Sequence, residues 1–417
     1  MININKFAVF FALLLLLKLY SPLNASDFSL NGFANNFFVA YQIQNNDLAR
    51  LLGISENKLL GAVNQRLRLR AFYQPVNWFS AEAAYDLSFR VQDSLLYTDI
   101  FLYGSIDPTQ YRYKDLDRKI YPGMNTPQGS FGVFQNLDRL LFTIRAPFFD
   151  IYAGRQTIAW GSSRVINPTD VIAPFTFDEL DQEERIGVDA LRIRVPLGML
   201  SEVDLGYVIG RDGKFENSAF FTRLKLYQYS SDISMTLVGF RENILAGVDV
   251  ARSIGRAGSW LEIAYVWTDA LKRTGTKIDQ NYFRGSIGLD YSFSEDSYAI
   301  LEYHYNGAGE VDPEKYFGNF NKIAYQEGAV YLWSIHYLNP GIIYQISPLV
   351  SGTVQTLFNL VDPSLYLALN LEFNIAEDIY LVGGTFIGLG KSVNNFQFQS
   401  EFGGYPSTYY TSFRYYF

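Results

Sequence analysis

The segment LRLRAFYQPVNWFSAEAAYDLSFRV, residues 67–91, alternates apolar and polar side chains along two successive stretches. In the first stretch, leucine and alanine share one face while Arg66, Arg68 and Arg70 share the other. In the second, small, aromatic and leucine side chains lie opposite Glu82 and Asp86. A repeat of two residues is the side-chain period of a β-strand. The segment therefore predicts two strands with one polar face, joined at residues 75–77.

The same alternation recurs along the whole chain. Seven further hairpin patterns occupy residues 138–160, 188–210, 220–240, 247–267, 282–305, 344–358 and 365–386. Eight hairpins supply 16 strands, and a first strand at Phe28–Gln42 with a last strand at residues 408–417 brings the number to about 18. The alternation is weakest in the first strand and in residues 329–346. An even number of antiparallel strands is typical of single-chain bacterial outer-membrane barrels.

The connections fall into two classes by length. Short turns join the two strands of each hairpin, whereas longer polar stretches separate the hairpins, at residues 45–59, 92–136, 161–187, 272–280, 306–327 and 391–407. With both termini on the periplasmic side, all long stretches lie on the outer side, as barrel topology requires. A soluble β-protein such as a sandwich is the alternative, but it gives no reason for short and long connections to segregate. The prediction is an all-β transmembrane barrel with no second domain.

Composition and the amino terminus also favour an exported membrane barrel. Lys6, an apolar run over residues 7–17 and the small residue Ala25 form the pattern of a secretory signal peptide, residues 1–25, which leaves residues 26–417 for the barrel. Without that peptide the chain has 32 basic and 42 acidic residues, and this net charge of −10 argues against a nucleic-acid partner. With no cysteine and two histidines, the sequence predicts neither a disulfide framework nor a histidine zinc site, and we expect no cofactor.

The chain ends in TSFRYYF, residues 411–417. Phe413, Tyr415 and Phe417 share one face of the predicted last strand, whereas Ser412 and Tyr416 share the other. We expect the first face to contact membrane lipid as part of an aromatic girdle. A strand that ends in phenylalanine also resembles the carboxy-terminal signal by which the barrel-insertion machinery recognises outer-membrane proteins, which predicts that machinery as a partner through Phe417.

Assigning the apolar faces to lipid leaves a set of charged residues facing the lumen. The basic members are Arg66, Arg68, Arg70, Arg139, Arg145, Arg192, Arg194, Arg223, Lys225 and Arg284. The acidic members are Glu82, Asp86, Glu202, Asp204, Glu262 and Glu302, with Asp249, Asp290 and Glu372 elsewhere. Two interpretations stay open: a basic wall facing an acidic wall across a pore, which would orient or select solutes, or mutual neutralisation of charges on neighbouring strands.

One long stretch differs from the others. Residues 161–187 hold an apolar centre at 171–177 and an acidic run of Asp178, Glu179, Asp181, Glu183 and Glu184. An apolar segment is poorly placed in a fully solvated loop. We expect this loop to fold inward and narrow the pore, the acidic run being the candidate constriction; a solvated outer loop folded on itself is the alternative.

The entry to this loop carries a resemblance to known proteins. GRQTIAWGSSRVINPTD, residues 154–170, is similar to the "GRQ…WG…NP.D" segment of a broad porin-like family of outer-membrane barrels, to which the alginate-export channels are similar. The matching residues are Gly154, Arg155, Gln156, Trp160, Gly161, Asn167, Pro168 and Asp170. The resemblance covers less than a tenth of the chain. It implies an outer-membrane channel whose third outer loop lines the constriction, as in general porins.

Taken together, these patterns predict a bacterial outer-membrane porin, in contact with lipid, that passes small hydrophilic and possibly anionic solutes with little or weak selectivity. An export conduit for an anionic polymer, or a ligand-specific receptor, is the alternative, followed by an adhesive or assembly role. An enzyme is not expected. No GxxxxGK[ST], HExxH or GxSxG motif occurs, and His304 beside Glu302 has no serine that the sequence alone assigns to it.

Overall fold

A computed structural model describes residues 27–43, 58–96, 110–177, 179–181, 183–272, 280–394 and 397–417. The predicted signal peptide and Asp178 lie outside these ranges. No helix in the described part of the chain has the length and apolarity to cross a bilayer. The only helix with α geometry in these ranges is the single turn α1 at Ile323–Gln326.

Nineteen strands occur in the described ranges, and eighteen of them form the barrel. They are β1 (Phe28–Gln42), β2 (Leu59–Val76), β3 (Phe79–Gln92), β4 (Lys119–Tyr121), β5 (Phe131–Arg145), β6 (Asp150–Gln156), β7 (Val188–Pro196), β8 (Glu202–Val208), β9 (Ala219–Gln228), β10 (Ser231–Phe240), β11 (Asn243–Ile254), β12 (Ala257–Trp267), β13 (Tyr282–Ser292), β14 (Ser297–Asn306), β15 (His336–Ser347), β16 (Val350–Asn359), β17 (Ser364–Ala376), β18 (Ile379–Leu389) and β19 (Ser407–Tyr416). β4 is a short strand that pairs with β5 alone.

Each barrel strand pairs antiparallel with its neighbours in sequence, and β1 pairs with both β2 and β19. The sheet therefore closes without an edge, which satisfies the backbone hydrogen bonds of every strand. The eight hairpin turns lie at one end, called the turn end here. At the other end, called the loop end, lie the strand ends that the remaining nine connections join: seven connections between successive hairpins, and two that join β1 and β19 to the hairpins. The predicted barrel of about 18 antiparallel strands is confirmed.

Strand β12 shows how the two faces differ. Leu261, Tyr265 and Trp267 are exposed on the outer surface, whereas Glu262 and Ala264 are buried on the inner one. The same alternation continues through the neighbouring strands, so that the outer surface carries a band of leucine, isoleucine, valine and aromatic side chains. Such a surface is stable when lipid covers it, since apolar side chains outside and polar ones inside are the pattern of a membrane barrel.

The last strand has the predicted faces. Phe413, Tyr415 and Phe417 are exposed on the outside, while Ser412 is fully buried and its hydroxyl donates to the Asn35 side chain at 2.6 Å. Gly32 of β1 exchanges both backbone hydrogen bonds with Phe417, at 2.8 and 3.0 Å. A side chain at Gly32 would place its Cβ 2.1 Å from the backbone oxygen of β2 beside it. The closing seam therefore requires a glycine at this position.

Several predicted boundaries were wrong, including the end of the hairpin predicted at residues 138–160, whose second strand ends at Gln156. The first hairpin turns at residues 77–78, because β2 continues to Val76 through a register shift beyond Tyr73 that accommodates Pro75, which has no N–H to donate. In the region 329–346, only the part from His336 onward is strand. The stretch predicted as loop up to residue 136 ends earlier, since β5 begins at Phe131.

Several loops fold into the loop-end half of the barrel and form a solid interior there. Val171 and Ile172 pack with Val238, Phe240 and other inward side chains of β10–β13 in one apolar cluster. A second cluster joins Ile166, Tyr366 and Phe402 on the β16–β19 side. Because both clusters exclude water, space for solutes is confined to the gaps that they leave.

Candidate functional site

The candidate site is built around residues 161–187, called the inner loop here, which connects β6 to β7 and is the third connection at the loop end. Its first half is bound to the β12 carboxylate of Glu262. That carboxylate accepts hydrogen bonds from the backbone N–H groups of Ser162, Ser163 and Thr169 at 2.9, 3.0 and 2.9 Å, and from the Thr169 hydroxyl at 2.7 Å. Four donors of one irregular segment thus converge on a single side chain.

Glu302 of β14 binds the next part of the loop in the same way. It accepts from the backbone N–H groups of Arg164, Val165 and Ile166 at 2.8, 3.3 and 2.9 Å, and from the Trp260 indole at 2.9 Å. Both glutamates are fully buried beneath the loop. The expectation that Glu262 and Glu302 line open pore space was therefore wrong: a loop without regular structure needs acceptors for its N–H groups, and these carboxylates supply them.

The second half of the inner loop meets the arginines of the opposite wall. Asp181 pairs with Arg66 at 2.8 Å, and Glu184 lies 3.2 Å from Arg139 and 3.6 Å from Arg68. Glu183 pairs with Arg414 and accepts a hydrogen bond from the Tyr416 hydroxyl at 2.8 Å. Glu179 is exposed at the same bend of the loop. The loop therefore crosses the lumen from β12–β14 to β2, β5 and β19.

Most of the predicted basic residues have acidic partners on neighbouring strands. The pairs are Arg68 with Asp86 at 3.2 Å, Arg70 with Glu82 at 2.9 Å, Arg192 with Asp204 at 2.5 Å, Arg194 with Glu202 at 2.5 Å and Lys225 with Asp232 at 3.3 Å. Because these charges meet along the wall instead of across the pore, cross-strand neutralisation is the better of the two interpretations. The hypothesis of a separate basic wall is not supported.

Three predicted basic residues are placed differently. Arg223 donates to the Ser234 hydroxyl at 2.7 Å and lies 4.0 Å from Asp249. Arg145 is exposed where β5 ends. Arg284 is buried, and its Nη1 makes a long 3.5 Å contact with the backbone oxygen of Pro168.

The segment that carries the family resemblance builds the start of the inner loop. Gly154 and Gly161 both have left-handed backbone angles, with φ of 115° and 114°, which a residue with a side chain adopts only under strain. A Cβ on Gly161 would lie 2.2 Å from the Asn167 side chain. Arg155 binds Asp189 at 2.7 Å and Asp115 at 2.8 Å. The motif therefore shapes and holds the loop.

Sequence reasoning missed the polar network behind this motif. Asp138, fully buried, pairs with Arg68 at 2.8 Å and with Arg139, and it accepts from the Gly187 backbone N–H at 2.9 Å. Arg112, from the connection between β3 and β5, pairs with Asp115 at 2.7 Å. Burial alone would raise the pKa of Asp115, but the two arginines beside it hold the pKa below its usual value. The alternation did not point to the three acidic and basic residues that were missed, because Arg112 and Asp115 lie in a non-repetitive segment and Asp138 lies at the register shift between β3 and β5.

The inner loop leaves a cavity of about 880 Å³, called cavity A, against β2, β3 and β5. Its charged lining residues are Arg66, Arg90, Arg118, Lys119 and Arg185, against Asp86, Asp138, Glu179, Asp181 and Glu184. Five positive and five negative groups make the lining neutral overall. The Arg90 guanidinium lies over the Phe134 ring, 5.3 Å from its centroid, so the cavity offers charged and aromatic contacts side by side.

A smaller cavity of about 160 Å³, called cavity B, lies beside β13, β16 and β17. Residues 174–177 of the inner loop, with Arg185 and Tyr331, line both cavities. Phe177 is held there by edge contacts with Tyr366 and Phe402, at ring-centroid distances of 4.9 and 5.9 Å. This segment therefore forms the partition between the two cavities.

His304 does have a serine beside it, which the sequence alone did not assign. The Ser286 hydroxyl lies 2.8 Å from Nδ1 of His304 and donates to the backbone oxygen of Ile166 at 2.7 Å. Both side chains are buried under the inner loop. This contact anchors the loop and is closed to solutes. Within the described ranges, no group of three or more histidine or acidic side chains is arranged to hold a metal ion.

Comparison with known proteins supports the fold. No protein-family model matches the chain, and no curated protein matches it either. Among solved structures, Acinetobacter baumannii OccAB4 is 10% identical, with a TM-score of 0.56 over 95% of this chain and 100% of that one. The outer membrane protein OpdK from Pseudomonas aeruginosa is 8% identical, with a TM-score of 0.55 over 94% and 99%. A. baumannii OccAB2 is 7% identical, with a TM-score of 0.53 over 94% and 98%. At this identity the likeness establishes a shared barrel fold, and the resemblance to outer-membrane barrels is confirmed at that level.

Proposed function

We propose that the protein is a porin-type channel of the bacterial outer membrane that passes small hydrophilic solutes. The observation that carries this proposal is the closed barrel in which an inner loop narrows the lumen and leaves cavity A, lined equally by positive and negative groups. A polar, water-accessible gap inside a lipid-facing shell serves the passage of solutes that lipid excludes.

The outer surface supports the membrane location. An arginine or lysine at the midplane of the lipid face costs about 2–4 kcal/mol, and β12 carries leucine and aromatic side chains there instead. The outward row of Phe413, Tyr415 and Phe417 supports insertion through recognition of the last strand. With the predicted signal peptide, both termini lie in the periplasm and the loop end faces outward.

The charge pattern favours weak selectivity. Because the lining of cavity A is neutral overall, neither cations nor anions are strongly favoured by its net charge. An export conduit for an anionic polymer would need a continuous track of free basic groups, whereas Arg66, Arg68 and Arg139 are occupied by carboxylates of the wall and of the inner loop. That alternative therefore has less support than a general channel.

Swelling of liposomes tests the proposal. Purified protein, reconstituted into lipid vesicles, is expected to admit small neutral sugars at rates that fall as the sugar becomes larger. The boiled and therefore unfolded protein is the matched control. Vesicles that hold folded barrel but remain impermeable to the smallest sugar would refute the proposed function.

A further inference from the structure

Cavity B contains a buried positive charge that the structure does not neutralise. Arg284 on β13 is 2% exposed and lines this cavity. Within the ranges that the structure describes, no carboxylate forms an ion pair with its guanidinium, and its Nε has no hydrogen-bond partner. Its neighbours on the adjacent strands are Ala264 and Asn306, neither of which is charged.

A buried guanidinium without an ion pair is unusual in a protein. A charge removed from water without a partner is strongly unfavourable, and proteins normally compensate it with an opposite charge or with several hydrogen bonds. The other two arginines of cavity B have such compensation. Arg185 pairs with Asp170 and lies over the Phe175 ring, while Arg164 is largely exposed and lies 3.8 Å from the Asp290 carboxylate.

The lining of cavity B is positive. Three arginines and one carboxylate line it: Arg185 pairs with Asp170, and Arg164 lies 3.8 Å from Asp290 outside the lining, which leaves Arg284 as the arginine of the lining without an ion pair in the described ranges. Gln355 and Asn167 add side-chain amides, whose N–H groups can donate hydrogen bonds. A volume of about 160 Å³ is roughly tenfold what one water molecule requires. The cavity therefore has room for a small anion with some water around it.

We propose that cavity B binds one compact oxyanion, of the size of inorganic phosphate, on the guanidinium of Arg284. The planar guanidinium donates two parallel hydrogen bonds to such an anion, which a spherical ion cannot accept in the same way. The amides of Gln355 and Asn167 supply further donors. The bound anion compensates the buried charge next to Pro168 and so stabilises the inner loop. This assignment depends on the folded barrel and does not require that the protein conducts.

Calorimetric titration of the folded barrel in detergent with inorganic phosphate tests the assignment. The wild type is expected to show saturable binding of one phosphate. Arg284→Gln should weaken that binding by at least about tenfold, because the charge-assisted bonds are lost. Arg284→Lys should bind with intermediate affinity, since it retains the charge without the planar fork. The matched control is Arg70→Gln, which removes an exposed arginine far from cavity B and should bind phosphate as the wild type does.

Thermal unfolding supplies a second readout. Phosphate should raise the melting temperature of the wild type by mass action, and at the same concentration it should raise that of Arg284→Gln much less. Without phosphate, Arg284→Gln should be no less stable than the wild type, since it loses an uncompensated charge. Absence of saturable phosphate binding by the wild type, or equal binding by Arg284→Gln, would overturn the assignment. A barrel that binds phosphate without conducting refutes the channel function alone, whereas one that conducts without binding phosphate refutes this assignment alone.

Discussion

Removing two carboxylates from the inner loop should turn a nearly neutral channel into an anion-selective one. In the double variant Asp181→Asn with Glu184→Gln, the lining of cavity A changes from no net charge to a charge of +2. The loop should keep its position, because Glu262 and Glu302 still hold its first half. Arg66 retains Asp86, and Arg68 retains Asp86 and Asp138.

The size of the effect follows from the dimensions of the cavity. A sphere with the volume of cavity A, about 880 Å³, has a radius of roughly 6 Å. At about 6 Å in water, two unit charges interact by about 0.7 kcal/mol, and screening at 0.15 M salt leaves about 0.3 kcal/mol. Removing two carboxylates favours an anion and disfavours a cation by about 0.6 kcal/mol each, which is roughly an eightfold change in the ratio of their permeabilities.

The assay is the reversal potential across a planar bilayer with a gradient of potassium chloride. The double variant should shift this potential toward that of chloride, and the shift should diminish in 1 M salt, where the screening length is about 3 Å. The control is Asp232→Asn, which neutralises an acid paired with Lys225 and remote from the cavity. An unchanged reversal potential in the double variant, or an equal shift in the control, would show that cavity A does not lie on the ion path.

Three further predictions test other parts of the structure. Replacing Phe413, Tyr415 and Phe417 by serine should reduce the amount of folded, heat-modifiable barrel on gels far more than the control variant Ser412→Ala with Tyr416→Ser does. Equal amounts of folded barrel in the two variants would show that the outward side chains of the last strand do not direct assembly. Glu302→Gln should raise single-channel conductance and current noise by loosening the inner loop, at a cost of about 1.5–3 kcal/mol for each weakened charged hydrogen bond, while Glu202→Gln should not. Currents of Glu302→Gln that are as small and as quiet as those of the wild type would show that Glu302 does not anchor the loop. Burial raises the pKa of Glu401, in the connection between β18 and β19, to about 8. The contribution of Glu401 to stability is therefore complete below the unfolded pKa near 4.3 and is lost as pH rises through 8. Between pH 5 and 9, the melting temperature should depend less on pH for Glu401→Gln than for the wild type, and an equal dependence on pH in both proteins would contradict this.

The strands were predictable because lipid imposes one simple rule on all of them. A side chain on the outer face must be apolar, so the period of two persists in β7, β12 and β19 even where inward residues vary. The alternation is weak in β1 because its inner face holds the apolar Phe33 and Phe37 as well as Asn35. The inner face obeys no single rule, because water, an ion pair or a loop can each satisfy a polar group there.

The path of the inner loop could not be predicted, because it depends on these inward polar groups. Glu262 and Glu302 alternate along their strands as carboxylates that face water do, but they accept from backbone N–H groups 100 and 138 residues away in sequence. No pattern in the sequence distinguishes such an acceptor from a solvated acid. The cross-strand ion pairs could have been predicted from the sequence, since Arg68 and Asp86 lie directly opposite each other in the first hairpin. The sequence could offer them only as one of two interpretations, because register alone does not tell whether facing charges bind each other or a solute.

Single-channel recording in planar lipid bilayers tests the central claim most directly. Purified wild-type protein, shown to be folded by its heat-modifiable migration, should insert and produce discrete conductance steps of one recurrent size. Deleting residues 171–184, which removes the partition between cavities A and B, should produce larger steps from a barrel that remains folded. If folded wild-type barrel enters the bilayer and gives no steps, the lumen is closed and the protein is not a channel.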